Sequence, residues 1–325
     1  MEKENLPRLK HFPIPLFAVI MGLSGLTIVF QKAAANFGYP HFIGDVLSFI
    51  TAGTYIAMLC FYFAKFVKYA EAVKKEFAHP IRINFFPAIS ICMLLLSIVF
   101  EHSAPTVSMF LWFVGTPLHL FFTLYVFRFW IVNNLEINHS NPAWFIPVVG
   151  NVLVPITGVN YAGIEVSTFF FSIGMFFWVI LFAIILNRII FHHQMAMKFL
   201  PTLFIFIAPA SVGCISYYKI NFAITQVASF DMFAFGLYDI GLFTTMLLIF
   251  MSKEFSKVSF AITWWAYTFP MAAITISTIL LYSVLKSFLV FLLAQFFIIF
   301  TTILVFVVSF FTIKAMFKKE VCVAE

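Results

Sequence analysis

Few side chains that could do chemistry lie inside the apolar stretches of this 325-residue chain, and they are far apart. His119 and Asp239 each fall within a long apolar run. An imidazole or carboxylate in such a place relays protons, pairs with another charge or holds a coupling ion. Asp231 and Arg128 sit near run ends and read as interfacial groups. The four cysteines (Cys60, Cys92, Cys214, Cys322) have no Cys-x-x-Cys or framework spacing, so neither disulfides nor a thiolate metal site is expected. His192-His193 and Asn138-His139-Ser140 are the polar loop clusters, and neither has metal-ligand spacing or the grouped Asp, His and Cys of a membrane transferase. No catalytic residue, metal ligand or cofactor is expected.

The most informative string is mechanical rather than reactive: Trp264-Trp265-Ala266-Tyr267-Thr268-Phe269-Pro270-Met271. Pro270 has no N–H to donate to the carbonyl of Ala266, so a helix through it bends there. That puts Phe269 on a bend at mid-membrane depth. A bulky ring there closes a narrow tube by sterics and dewetting. Gly22, at matching depth in the first helix, leaves room opposite the ring.

The elements that carry these residues follow from composition. Hydrophobic residues make up 63% of the chain and charged residues 10%, and the mean hydropathy is +1.05. A soluble domain carries roughly 25% charged residues, so this chain cannot build a water-facing surface. In lipid only helices or closed barrels satisfy the backbone, and the apolar runs lack the alternation of barrel strands. The runs are 12–30, 42–64, 85–100, 107–127, 145–160, 166–187, 199–216, 231–251, 260–282 and 287–313. The fifth is short and broken by Pro147 and Pro155, which makes it the weakest signal. The first is expected to stay as a helix, not to leave as a signal peptide, because it exceeds the usual apolar core of a leader.

With the N-terminus placed in the cytoplasm, 16 of the 19 Lys and Arg residues fall on the cytoplasmic side, leaving Lys32, Lys219 and Lys286 outside. That bias supports an even number of spans with both termini cytoplasmic. The net charge of +6 reflects these loops and membrane headgroups rather than nucleic acid.

Four odd-numbered helices open with an apolar residue and proline: Phe12-Pro13, Phe86-Pro87, Ile146-Pro147 and Leu200-Pro201. A second break follows about nine residues in, at Gly22, Pro155, Pro209 and Pro270, with Leu95-Leu96 standing there in the third helix. The recurrence reads as five helical hairpins in series. Breaks free backbone groups that protein or water must satisfy, so the odd helices are expected inside, around a pore, and the even ones outside. Ser24, Leu96, Pro155, Pro209 and Thr268 are the candidate pore-lining residues. The odd helices carry no charge within the expected spans, which suits a passive route better than a pump.

At Phe-Pro-Ile-Pro with Gly-Leu-Ser in the first helix, Asn141-Pro142 with Val149-Gly150-Asn151 in the fifth, and Trp-Trp-Ala-Tyr-Thr-Phe-Pro-Met in the ninth, the chain resembles a known family. It contains the bacterial tellurite-resistance/dicarboxylate transporters (TehA-like) and the plant slow anion channels. The resemblance implies one ten-helix transmembrane domain over 1–325 in the plasma (bacterial inner) membrane, assembled as a homotrimer. It also implies a five-fold pseudosymmetric pore for small anions such as chloride and nitrate, plugged by a phenylalanine matching Phe269 with a small residue matching Gly22. The plant members' long phosphorylatable termini have no counterpart in this sequence, so kinase gating is not expected. The alternative is a proton-coupled carrier of C4-dicarboxylates or oxyanions such as sulfite and tellurite, with His119 or Asp239 as the titrating group.

Overall fold

A hydrocarbon solvent leaves an apolar segment one way to satisfy its backbone, and each of the ten stretches is helical. The computed structural model describes residues 8–323, so Lys3, counted above among the cytoplasmic basic residues, lies outside them. Among the described residues there are no strands. The spans run Ile14–Phe37, His41–Lys68, Arg82–Phe100, Pro105–Val132, Pro142–Tyr161, Gly163–Phe191, Met197–Thr225, Met232–Phe250, Ile262–Leu285 and Phe288–Phe317. Several extend past the expected ends, because a helix continues into the headgroup region where charged side chains are at home. A short amphipathic helix, Ala70–Phe77, follows the second span.

The ten spans divide sharply by burial. In the odd-numbered spans 67–94% of the apolar window is buried, against 22–39% in the even-numbered ones. The fifth, the weakest sequence signal, is the most buried of all. Each odd span packs on the even span that follows it. The odd spans also contact one another in the order one, three, five, seven, nine and back to one, a closed ring. Side chains of the outer spans hydrogen-bond inward. Trp112 Nε1 donates to the Val154 carbonyl at 2.9 Å, and the hydroxyls of Thr301 and Thr275 lie 2.9 Å apart. Such bonds hold helices together where lipid offers no hydrophobic drive.

Proline places a second regularity. Every odd span begins as a 3-10 helix and then becomes α: Ile14–Phe17 before Ala18–Phe37, Arg82–Phe85 before Ala88–Phe100, Pro142–Phe145 before Ile146–Tyr161, Met197–Phe206 before Ile207–Thr225, and Ile262–Tyr267 before Thr268–Leu285. The even spans are α throughout. Pro87, Pro147, Pro209 and Pro270 stand just before or within the first α turn, where a missing N–H costs no α bond. This corrects the expected bend at Pro270: the ninth span does not kink inside an α-helix but changes helix type at Thr268. Pro155 alone among the breaks lies deep within an α segment.

Candidate functional site

Two cavities lie within the ring of odd spans. One, of about 460 Å³, is at the ends where the odd spans start, and Met21, Ile91, Val149, Ala208 and Phe269 contribute one wall residue from each of them. The other, of about 310 Å³, is at the ends where they finish, bordered by Ile28, Leu95, Ile156, Val212 and Ala273 in the same sense. No residue of an even span borders either cavity. Two side chains border both: Phe269 of the ninth span and Leu153 of the fifth. They are only 7% and 3% exposed, so the two chambers meet at a tight apolar contact.

The sequence-derived residues fare unevenly. Phe269 stands between the chambers, and Pro270 borders the first. Ser24, Leu96, Pro155, Pro209 and Thr268 border neither. Their neighbours Leu95, Ile156 and Ala208 do so instead. Successive α-helical residues are rotated by about 100°. A proline or a break locates depth along a helix and leaves its inward face undetermined.

Gly22 is corrected in the same way. A Cβ built there collides with the Thr268 side chain and comes within 3.0 Å of the Trp265 ring, so Gly22 lets the first span approach those residues. One turn on, Gly25 faces Ala272, and a Cβ there would stand 3.5 Å from Cδ2 of Phe269. Gly25 is therefore the glycine that abuts the ring, and no sequence break distinguishes it.

The chambers are not free of charge at their mouths. Arg82, His79 and Lys198 border the first, and Lys32, Lys219 and Glu101 the second. Lys32 and Lys219 were expected beyond the membrane, but the first and seventh helices run on to Phe37 and Thr225 and include them. The positive ends of the five α segments surround the first chamber, and none of them carries a side-chain cap. Sequence reasoning missed Leu153 and both lysines. The lysines did leave a trace, as two of the three exceptions to the charge bias, whereas one leucine in an apolar run leaves none.

The intramembrane ionisable groups lie elsewhere. His119, wholly buried on the fourth span, has Nδ1 2.9 Å from the Ser90 hydroxyl and packs behind Gly150, outside both cavities. Asp239 is exposed on the outward side of the eighth span. Asp231 caps that span, accepting from the N–H groups of Phe233 and Ala234. The Tyr217 hydroxyl donates to its other oxygen and holds the carboxyl below the usual carboxylate range, with the two backbone donors adding to the effect.

Ten apolar spans form the fold, and the five odd ones enclose two chambers. The sequence model of the voltage-dependent anion channel family matches residues 11–313, nearly the whole chain. The chain belongs to that family. Among its relatives is the S-type anion channel SLAH2 of Arabidopsis thaliana, 30% identical over 86% of this chain and 54% of that one. An uncharacterized transporter of Methanocaldococcus jannaschii is 26% identical over 85% and 86% of the two chains. A tellurite resistance protein TehA homolog of Haemophilus influenzae is 25% identical over 84% and 83%. The chain spans about half the length of the plant relatives it matches first. As a member of this family, with ten helices long and apolar enough to cross a bilayer, it is a multi-pass membrane protein.

Proposed function

We propose that the two chambers are halves of one passive route for small inorganic anions, chloride and nitrate among them, and that Phe269 against Leu153 is its closure. The observation that carries this is the position of Phe269, a side chain bordering both chambers on a wall drawn from all five odd spans. Displacing the ring joins the chambers; keeping it excludes water and ions. At the constriction no charge binds the ion, so selection follows the ease of shedding water and favours larger, weakly hydrated anions. The α-helix starts around the first chamber supply partial positive charge. No catalysis is part of this reading.

The charge bias supports cytoplasmic termini, and with them a place in the plasma membrane. The family resemblance and the outward-facing Asp239 support a homotrimer. Asp239 lies eight residues into its span, about 12 Å deep at 1.5 Å per residue, where lipid is a costly neighbour for a carboxylate. The proton-coupled alternative draws no support from position, since neither His119 nor Asp239 borders a chamber.

Planar-bilayer recording of purified protein with chloride, nitrate and malate tests the proposal. Ohmic unitary steps, largest for nitrate, are expected. A saturating flux that tracks the proton gradient, without unitary steps, would overturn it.

A further inference from the structure

The second chamber faces an electrostatic problem that the first does not. The odd helices point their carbonyl ends toward it, and the first, seventh and ninth close there with left-handed residues at Gly38, Gln226 and Lys286. Helix C-termini carry partial negative charge, which repels an anion within the last turn. An anion route through this ring would therefore be favourable at one mouth and unfavourable at the other.

Lys32 and Lys219 stand at that second mouth, one on the first span and one on the seventh. Among the described residues neither ammonium has a hydrogen-bond or ion-pair partner, and Lys32 is close enough to Lys219 and to Glu101 for their charges to interact. Two like charges held on separate rigid helices around one cavity repel each other until something negative lies between them. Glu101, the one acidic residue of the wall, forms an ion pair with neither lysine: Asn160 Nδ2 donates to its Oε1 at 3.0 Å, and His102 Nε2 lies 4.0 Å from Oε2.

We infer that Lys32 and Lys219 form an anion-capture site in the second chamber, taking a small inorganic anion between their ammonium groups before or after it passes Phe269. This rests on the channel reading above and adds to it a specificity-determining pair. Glu101 sets the strength of the site. Its charge offsets one of the two lysines, so the anion is held loosely enough to leave, which conduction requires. The pair also makes the two mouths alike in sign, through helix starts at one and side chains at the other.

The test is chloride current through purified full-length protein in a planar bilayer. Chloride is varied only on the face where the odd spans finish. Lys32→Gln and Lys219→Gln should each raise the half-saturating chloride concentration on that face by about fivefold, the effect of removing one contact charge in water. Glu101→Gln should lower it, and Lys219→Arg should behave as wild type. Saturation from the opposite face should not change. Lys286, on the same face but outside the cavity wall, is the control, and Lys286→Gln should have no such effect. Anion currents whose saturation is unaltered in the lysine variants, or equally altered by Lys286→Gln, would overturn the capture site and leave the channel reading standing. A bilayer that contains the protein yet passes no anion current, with Phe269 or with alanine in its place, would remove both.

Discussion

Phe269 and Leu153, from the ninth and fifth spans, are the two side chains shared by the walls of both chambers. Neither is polar, and together they separate two spaces that each reach toward an opposite end of the helical ring. A contact of this kind is closed by packing alone and opens when one side chain is shortened.

Phe269→Ala should therefore raise anion conductance in a planar bilayer by about tenfold or more, a barrier lowered by at least about 1.4 kcal/mol. Leu153→Ala should raise it less, because it removes a smaller volume. An unchanged current in both, with protein present, would argue that the chambers are closed elsewhere.

The glycines of the first span answer to close approach. Alanine at Gly22 meets the Thr268 side chain, and alanine at Gly25 meets Ala272, at distances real Cβ atoms do not tolerate. Each substitution should cost about 1–3 kcal/mol, the usual range for overpacking, and lower the melting temperature in detergent. Gly236 has open space around it, and Gly236→Ala should leave melting nearly unchanged.

The second span carries a buried ion pair at its end. Lys65 Nζ is 2.7 Å from Glu76 Oε2 and donates to the Phe12 carbonyl at 2.7 Å, and the Tyr62 hydroxyl completes the carboxylate's contacts. It ties the short helix Ala70–Phe77 to the start of the first span. Lys65→Met leaves a buried carboxylate uncompensated and should destabilise by about 3–5 kcal/mol. Lys65→Met with Glu76→Gln should recover a large part of that loss, as a double-mutant cycle of thermal melts would register.

Asp231 gives the protein an acid-sensitive cap. Its carboxyl titrates below the usual range in the folded chain because Tyr217 donates to it, so its stabilisation is fully present above the ordinary carboxylate pKa. That stabilisation is lost as pH falls through the lowered value. Asp231→Ala should lower stability at neutral pH by about 0.5–2 kcal/mol, the range for helix N-caps. The difference from wild type should shrink only under strong acid, which melting curves across pH would reveal.

The proposed homotrimer places Asp239 at a subunit contact. Asp239→Arg at the proposed subunit contact should shift native mass measurements from trimer to monomer while the ten helices remain by circular dichroism. A trimer that persists would place that carboxylate away from the interface.

Helix number, the separation of buried from exposed spans and the inward placement of Phe269 were legible in the linear chain. The reason is that lipid removes alternatives. A segment of about 20 apolar residues has one way to satisfy its backbone. Prolines recurring at Pro87, Pro147, Pro209 and Pro270 mark where helices start, because only the first turn tolerates them without loss. Which side of each helix faces inward was settled by the tertiary structure. Rotation about a helix axis depends on how ridges of neighbouring spans interlock, and a single residue's shift moves the wall from Leu96 to Leu95 or from Pro155 to Ile156. The same packing set Gly25 beside the Phe269 ring, carried Lys32 and Lys219 onto the chamber wall, and left His119 behind Gly150. These are relations between distant segments, and no local pattern of residue types encodes them.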